Sequence, residues 1–146
     1  MNSTDEDLHP KEDSPLPPHI REFLPGFIES AREHIDAINR GLLHLEKEGL
    51  EDSESLSGIS RNAHSLKGAA MTMGLGNITS LCHHMEDIIR EIREQRMVTG
   101  PETFDVLFQT NDAISAMVEK LSHHPVEDIT HPDGLFERIE ALPPTP

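Results

Sequence analysis

Apolar residues in this chain return every three or four positions, segment after segment, and that period is the signature of one-sided helices. From about Ile20 to Lys47 the series is Phe23, Phe27, Ala31, Ile35, Ile38, Leu42 and Leu45. From about Ser53 to Met73 it is Leu56, Ile59, Ala63, Leu66, Ala70 and Met73. From about Asn77 to Gln95 it is Ile78, Leu81, Met85, Ile88 and Ile92, with Ile89 alongside. From about Pro101 to Leu121 it is Phe104, Leu107, Ile114, Val118 and Leu121. A short fifth segment, about Pro132 to Leu142, carries Leu135, Phe136, Ile139 and Leu142 and is expected to pack across the others. Trp and Tyr are absent and only five Phe are present, so the core must be aliphatic, and strand formers are too sparse for a β fold. The pattern predicts an all-α protein: an antiparallel four-helix bundle with an additional short C-terminal helix.

Punctuation residues support these bounds. Pro25 either kinks the first helix or marks its true first turn. Gly49 is a stop signal. Ser53 is placed to cap the second helix, with Glu54 favourable in its first turn, and Gly74 and Gly76 to end it. Asn77 is a reasonable cap for the third helix. Thr99-Gly100-Pro101-Glu102 reads as a capping box with proline in the first turn. Residues 1–18, rich in Asp, Glu, Ser and Pro, read as a disordered lead, residues 19–142 as one domain, and residues 143–146 as a linker or tail. A linker there points to a fragment of a longer chain.

The charge balance excludes some partners. A net charge of −15 is the opposite of what nucleic acid or an anionic membrane surface rewards. It is compatible with basic patches on protein partners, but solubility is the simpler reading of an acidic surface. One cysteine, Cys82, allows no internal disulfide. The N-terminus lacks the basic and apolar regions of a signal peptide, and no apolar run is long enough to cross a bilayer. A cytoplasmic protein is expected.

Chemistry concentrates at residues 64–68, His-Ser-Leu-Lys-Gly. Ala63 and Leu66 belong to the buried stripe. His64, Lys67 and Gly68 stand at i, i+3 and i+4 and share a flank beside it. Lys67 brings a cation one turn from the ring. A mid-helix glycine costs about 1 kcal/mol relative to alanine, and open access to His64 would compensate. On the third helix His83 and Glu86 are three apart, on a flank that faces His64 if the two helices form a hairpin around Gly74–Gly76. A carboxylate accepting the Nδ1–H proton would leave Nε2 as an unprotonated nucleophile. A surface histidine beside a lysine is otherwise ordinary in a chain with 10 histidines. The glycine and the His83/Glu86 pair lift this one above the rest.

His64-Ser65-Leu66-Lys67-Gly68, followed by Ala69-Ala70, Gly74 and His83-His84-Met85-Glu86, resembles a histidine-containing phosphotransfer (HPt) domain. It is most like the N-terminal HPt domain of CheA-type chemotaxis histidine kinases, and the likeness covers about residues 20–142. The resemblance implies that His64 carries the phosphoryl group. Lys67 would be the cation near it, and Glu86 would hydrogen-bond the His64 ring. His83 would be an accessory histidine in the same network, and Gly68 the clearance residue. The implied partners are a histidine kinase catalytic domain, in cis or in trans, and a response-regulator receiver domain. ATP and Mg²⁺ are expected on those partners, with no cofactor or metal bound by this domain, which is expected to be a monomer.

Other chemistry finds less support. His64, His83 and Glu86 are of metal-ligand type, but the buried stripes of the first and fourth helices offer no carboxylate to complete a bundle-core site. His84 reads as a solvated bystander and His123-His124 as a helix-end feature. Cys82 and the methionines read as packing, although Met71 and Met73 are near enough to His64 to join a docking surface. No nucleophilic triad, nucleotide loop or ATP-binding segment is recognisable, so the chain reads as a phosphoryl carrier, and a kinase activity would belong to a parent chain. The competing reading is a helical scaffold that binds a regulator without phosphate. Acid-labile, base-stable phosphate on His64 separates the two.

Overall fold

A computed structural model describes residues 21–49, 52–96, 99–123, 138–139 and 141–142. It contains α1 (Leu24–Glu48), α2 (Ser53–Thr72), α3 (Gly76–Arg93) and α4 (Pro101–His123), with no strand among the described residues. Each helix packs on the next in sequence, and α1 closes the ring against α4. Short connections make such neighbours antiparallel, so the chain is an all-α, up-and-down four-helix bundle. The expected lead, tail and most of the fifth helix lie outside the described residues. Of that last segment Ile139 and Leu142 are described, and both are buried. Among the described residues no helix is long and apolar enough to cross a membrane.

The apolar stripes become the core. Ile38, Leu42, Leu66, Leu81, Met85, Ile89, Leu107 and Ile114 are all essentially inaccessible. Phe23 departs from the expected stripe and is 63% exposed. The reason is local: α1 begins at Leu24 with Pro25 in its first turn, which leaves Phe23 at the N-cap outside the helix while Leu24 and Ile28 turn inward. Gly41 is where α1 and α2 come close. A Cβ there would stand 2.7 Å from Ile59 Cγ1, so alanine would force the helices or Ile59 to shift.

The caps fall one residue from the expected positions. Asp52, not Ser53, caps α2 and accepts from the Ser55 amide at 3.2 Å. It is the carboxylate before the helix, rather than the hydroxyl at its first residue, that reaches the amides of the first turn. At α4 the residue reaching back is Thr103, whose Oγ1 accepts from the Gly100 amide at 3.3 Å, while Glu102 pairs with Arg138 instead. Gly76 does not end α2, and Asn77 does not cap α3. α3 already starts at Gly76, with Leu75 at its N-cap and no side-chain cap.

The α2–α3 turn sets the functional site. Gly74 has φ +76°, the left-handed conformation that glycine adopts freely. Its amide donates to Met71 O at 3.1 Å, and the Leu75 amide donates to Ala70 O at 2.9 Å. These two bonds close α2 as a Schellman turn, and Leu75 and Ala70, the positions between which such a turn places its apolar contact, are both buried. The chain reverses within three residues, so α3 runs back along α2 and brings residue 86 level with residue 64.

Candidate functional site

His64 sits on the exposed edge of α2 with its side chain 71% accessible. Its neighbours Ala63 and Leu66 are fully buried, which fixes the rotation of the helix and therefore the direction of the ring. Across the seam Glu86 is 12% exposed, and its Oε2 lies 2.8 Å from His64 Nδ1. Oε1 is buried, and the Lys67 ammonium stands 2.6 Å from it as an ion pair. Lys67 is 19% exposed. One carboxylate thus joins the ring and the cation, with a separate oxygen for each.

The charge state of Glu86 decides which proton goes where. Burial opposes its ionisation, but the contacts with Lys67 and His64 and their charges outweigh it, holding the carboxyl below its ordinary value. An ionised carboxylate only accepts, so Nδ1 must be the donor. In the neutral ring Nε2 then carries the lone pair, on the far side of the imidazole from Glu86.

Of the residues expected at the site, His64, Lys67 and Glu86 come together as one set. Gly68 is exposed one turn beyond His64, and a Cβ added there would meet nothing within 4 Å. No packing among the described residues demands glycine at that position. His83 is placed differently from its expected network. Its Nε2 lies 3.3 Å from Asp87 Oδ2, and its ring tilts against His84 at a centroid distance of 6.2 Å. Its ring follows its own helix to the carboxylate at i+4, while Glu86 turns across to α2. His64, His83 and Glu86 therefore do not converge as a ligand set. Cys82 is fully buried, its thiol pushed up to about 12 mainly by that burial, which suits packing and not reactivity.

Two arginines were not singled out by the spacing argument. A shallow groove begins at His64 and Glu86 and continues past Ser60 and Arg61 to Ser57 and Arg93. The signal was available: 57, 60/61, 64 and 68 share one face of α2, and Arg93 follows Glu86 by two turns on α3. Met71, 59% exposed, continues the same face of α2 in the other direction.

Fold and site together define a class, helical bundles that present a tautomer-fixed histidine at their surface. The chain belongs to the Hpt domain family, whose model matches residues 22–124. It is 36% identical over 97 residues to the chemotaxis protein CheA of Listeria monocytogenes, covering 66% of this chain and 16% of that protein. The chain therefore spans about a sixth of the length of that relative. In three dimensions it is similar to the histidine phosphotransfer domain of a CheA, with TM-score 0.74, 32% identity, and coverage of 82% of this chain and 90% of the other. The phosphorylated P1 domain of CheA3 in complex with CheY6 from R. sphaeroides shares the fold at 21% identity, with TM-score 0.70 and coverage of 82% and 94%.

Proposed function

We propose that His64 is the phosphoryl carrier of this domain, loaded by a histidine kinase catalytic domain in cis or in trans and unloaded by a response-regulator receiver domain. The observation that carries the reading is the 2.8 Å contact between Nδ1 of an exposed His64 and an ionised Glu86. It leaves Nε2 as the nucleophile. The N–P bond forms there as the P–O bond of ATP breaks, with ADP as leaving group. No proton need leave the ring, because Nδ1 keeps its hydrogen and goes on donating it to Glu86. The phosphorylated ring is then cationic and faces a carboxylate. Lys67, held one turn away, lowers the repulsion felt by the incoming dianion.

The rest of the chemistry belongs to the partners, which supply ATP and Mg²⁺. The domain acts as a monomer in the cytoplasm, and it is a carrier and not a catalyst on its own. The complex of the R. sphaeroides P1 domain with CheY6 supports a receiver as partner. Gly68 and the exposed Met71 give that partner an uncluttered, partly apolar approach beside the ring. The test is incubation with a CheA-type kinase domain, ATP and Mg²⁺. Acid-labile, base-stable phosphate is expected on the wild-type protein and none on His64→Gln. Normal loading of His64→Gln would sink the assignment.

A further inference from the structure

The groove that begins at His64 carries more than the reactive ring. Arg61 stands one turn before His64 on α2. Ser57 stands two turns before it, about 10 Å along the axis at the usual helical rise. Arg93 reaches across from α3 and donates from Nη2 to Ser57 Oγ at 3.1 Å. Both guanidinium groups are exposed. Neither is ion-paired among the described residues, whereas Arg32, Arg90, Arg96 and Arg138 each hold a carboxylate. The carboxylate lining the groove is Glu86, and both its oxygens are taken by His64 and Lys67. In a chain with 27 acidic residues against 12 Lys and Arg, two arginines without an acid in one groove make a local patch of positive charge.

The geometry selects the kind of anion. Nε2 points away from Glu86, so the atom that gives or takes the phosphoryl group approaches along that axis. Arg61 is as near to His64 as Lys67, but Arg93 meets Ser57 two turns along α2, so the groove extends past the phosphoryl group. It meets whatever surrounds the reacting phosphorus on the partner. A protein that accepts phosphate on an aspartate with Mg²⁺ holds the ion with one or two carboxylates beside waters and phosphate oxygens. The mouth of its pocket therefore carries acidic groups.

The geometry points to the Arg61–Arg93 groove as a docking subsite for the acidic rim of the receiver protein, orienting it over His64. This rests on the reading of His64 as the carrier. Elsewhere the net charge of −15 repels an acidic partner. Local attraction within general repulsion favours a single landing orientation.

The test separates loading from transfer. Phosphoramidate, a small phosphoryl donor that needs no docking surface, loads the protein. A purified CheY-type receiver domain with Mg²⁺ is then added, and loss of phosphohistidine is followed. Arg61→Glu/Arg93→Glu is loaded to the same final stoichiometry as the wild type before the receiver is added. Its kcat/KM for transfer falls by about tenfold at low salt, through KM, with the saturated rate unchanged. The deficit shrinks as salt screens the groove. Arg61→Gln/Arg93→Gln loses less, and lysine substitutions on the receiver's acidic rim rescue the glutamate variant. An unchanged kcat/KM at low salt overturns the proposal. So does a defect confined to ATP-driven loading by the kinase domain, which would assign the groove to nucleotide phosphates. Failure of the wild-type protein to load with phosphoramidate would instead overturn the carrier reading, and this one with it.

Discussion

Two histidines meet an oxygen across the seams on either side of α2, and their settings differ. His34 of α1 places Nδ1 2.8 Å from Asn62 Oδ1, and Asn62 in turn donates to Gly58 O at 2.9 Å. His64 places Nδ1 at the same distance from Glu86. Both rings have an oxygen partner at Nδ1, so fixing a tautomer does not by itself make a phosphoryl site. The difference lies in the surroundings. Asn62 is neutral and His34 is half-buried between α1 and α2. Glu86 is ionised and paired with Lys67, and His64 stands open to a partner. One arrangement ties helices together, and the other holds a nucleophile at the surface.

That contrast can be broken most sharply at the rings. His64→Gln should abolish phosphoramidate loading, while His34→Gln should leave both its rate and its stoichiometry unchanged. Loading of the wild-type protein on more than one histidine would erase the distinction. The next effect is at the partners. Glu86→Ala should slow loading by about tenfold to a hundredfold, the range seen when a group that orients a reactive ligand is removed. Asn62→Ala should leave loading alone and cost about 1 kcal/mol of stability for the lost interhelical hydrogen bond. Kinetics read beside urea unfolding separate the two outcomes.

The two mid-helix glycines of α2 sharpen the comparison further. A Cβ at Gly58 would meet only the end of Arg61 at 3.8 Å, and one at Gly68 would meet nothing. Alanine at either position should stabilise the bundle by about 1 kcal/mol through helix propensity. Gly68→Ala should slow transfer to a receiver more than Gly58→Ala, because its methyl stands one turn from the reacting ring. A Gly68→Ala protein that transfers normally would leave that glycine without a functional reason.

The smallest effect is electrostatic. The Glu86 carboxyl is held below its ordinary value of 4.5, so it binds protons less readily folded than unfolded. Its contribution to stability is present above that value and is lost as pH falls through the lower, folded pKa. The stability difference between wild type and Glu86→Gln should therefore be constant above pH 4.5 and shift against the wild type below it. Asp52, Glu91 and Glu119 are also held low but titrate in both proteins and cancel in the difference. A gap that stays constant throughout acid unfolding would remove the charge of Glu86 from the account.

The parts of this molecule that follow from helical period were readable in the sequence. The four stripes, the place of His64 beside the Ala63/Leu66 seam, and its meeting with Glu86 across a short turn all depend on spacing alone. What depends on a choice between adjacent polar groups was not. Asp52 rather than Ser53 caps α2, Thr103 rather than Glu102 reaches back at α4, and His83 follows Asp87 rather than joining Glu86. Each outcome is a rotamer decision, or a one-residue register shift, among nearly equivalent hydrogen bonds. Phe23 was misplaced because an apolar residue just before a helix keeps its period but not its face. Arg61 and Arg93 lay on the right faces, but their lack of acidic partners becomes visible only in three dimensions.

The most direct test is nitrogen NMR of ¹⁵N-labelled protein before and after phosphoramidate loading. Before loading, His64 should carry its proton on Nδ1. After loading, the phosphorus should couple to Nε2 of the same ring while Nδ1 keeps its proton. A proton on Nε2 in the free protein, phosphate on Nδ1, or phosphate on any other histidine would contradict the account.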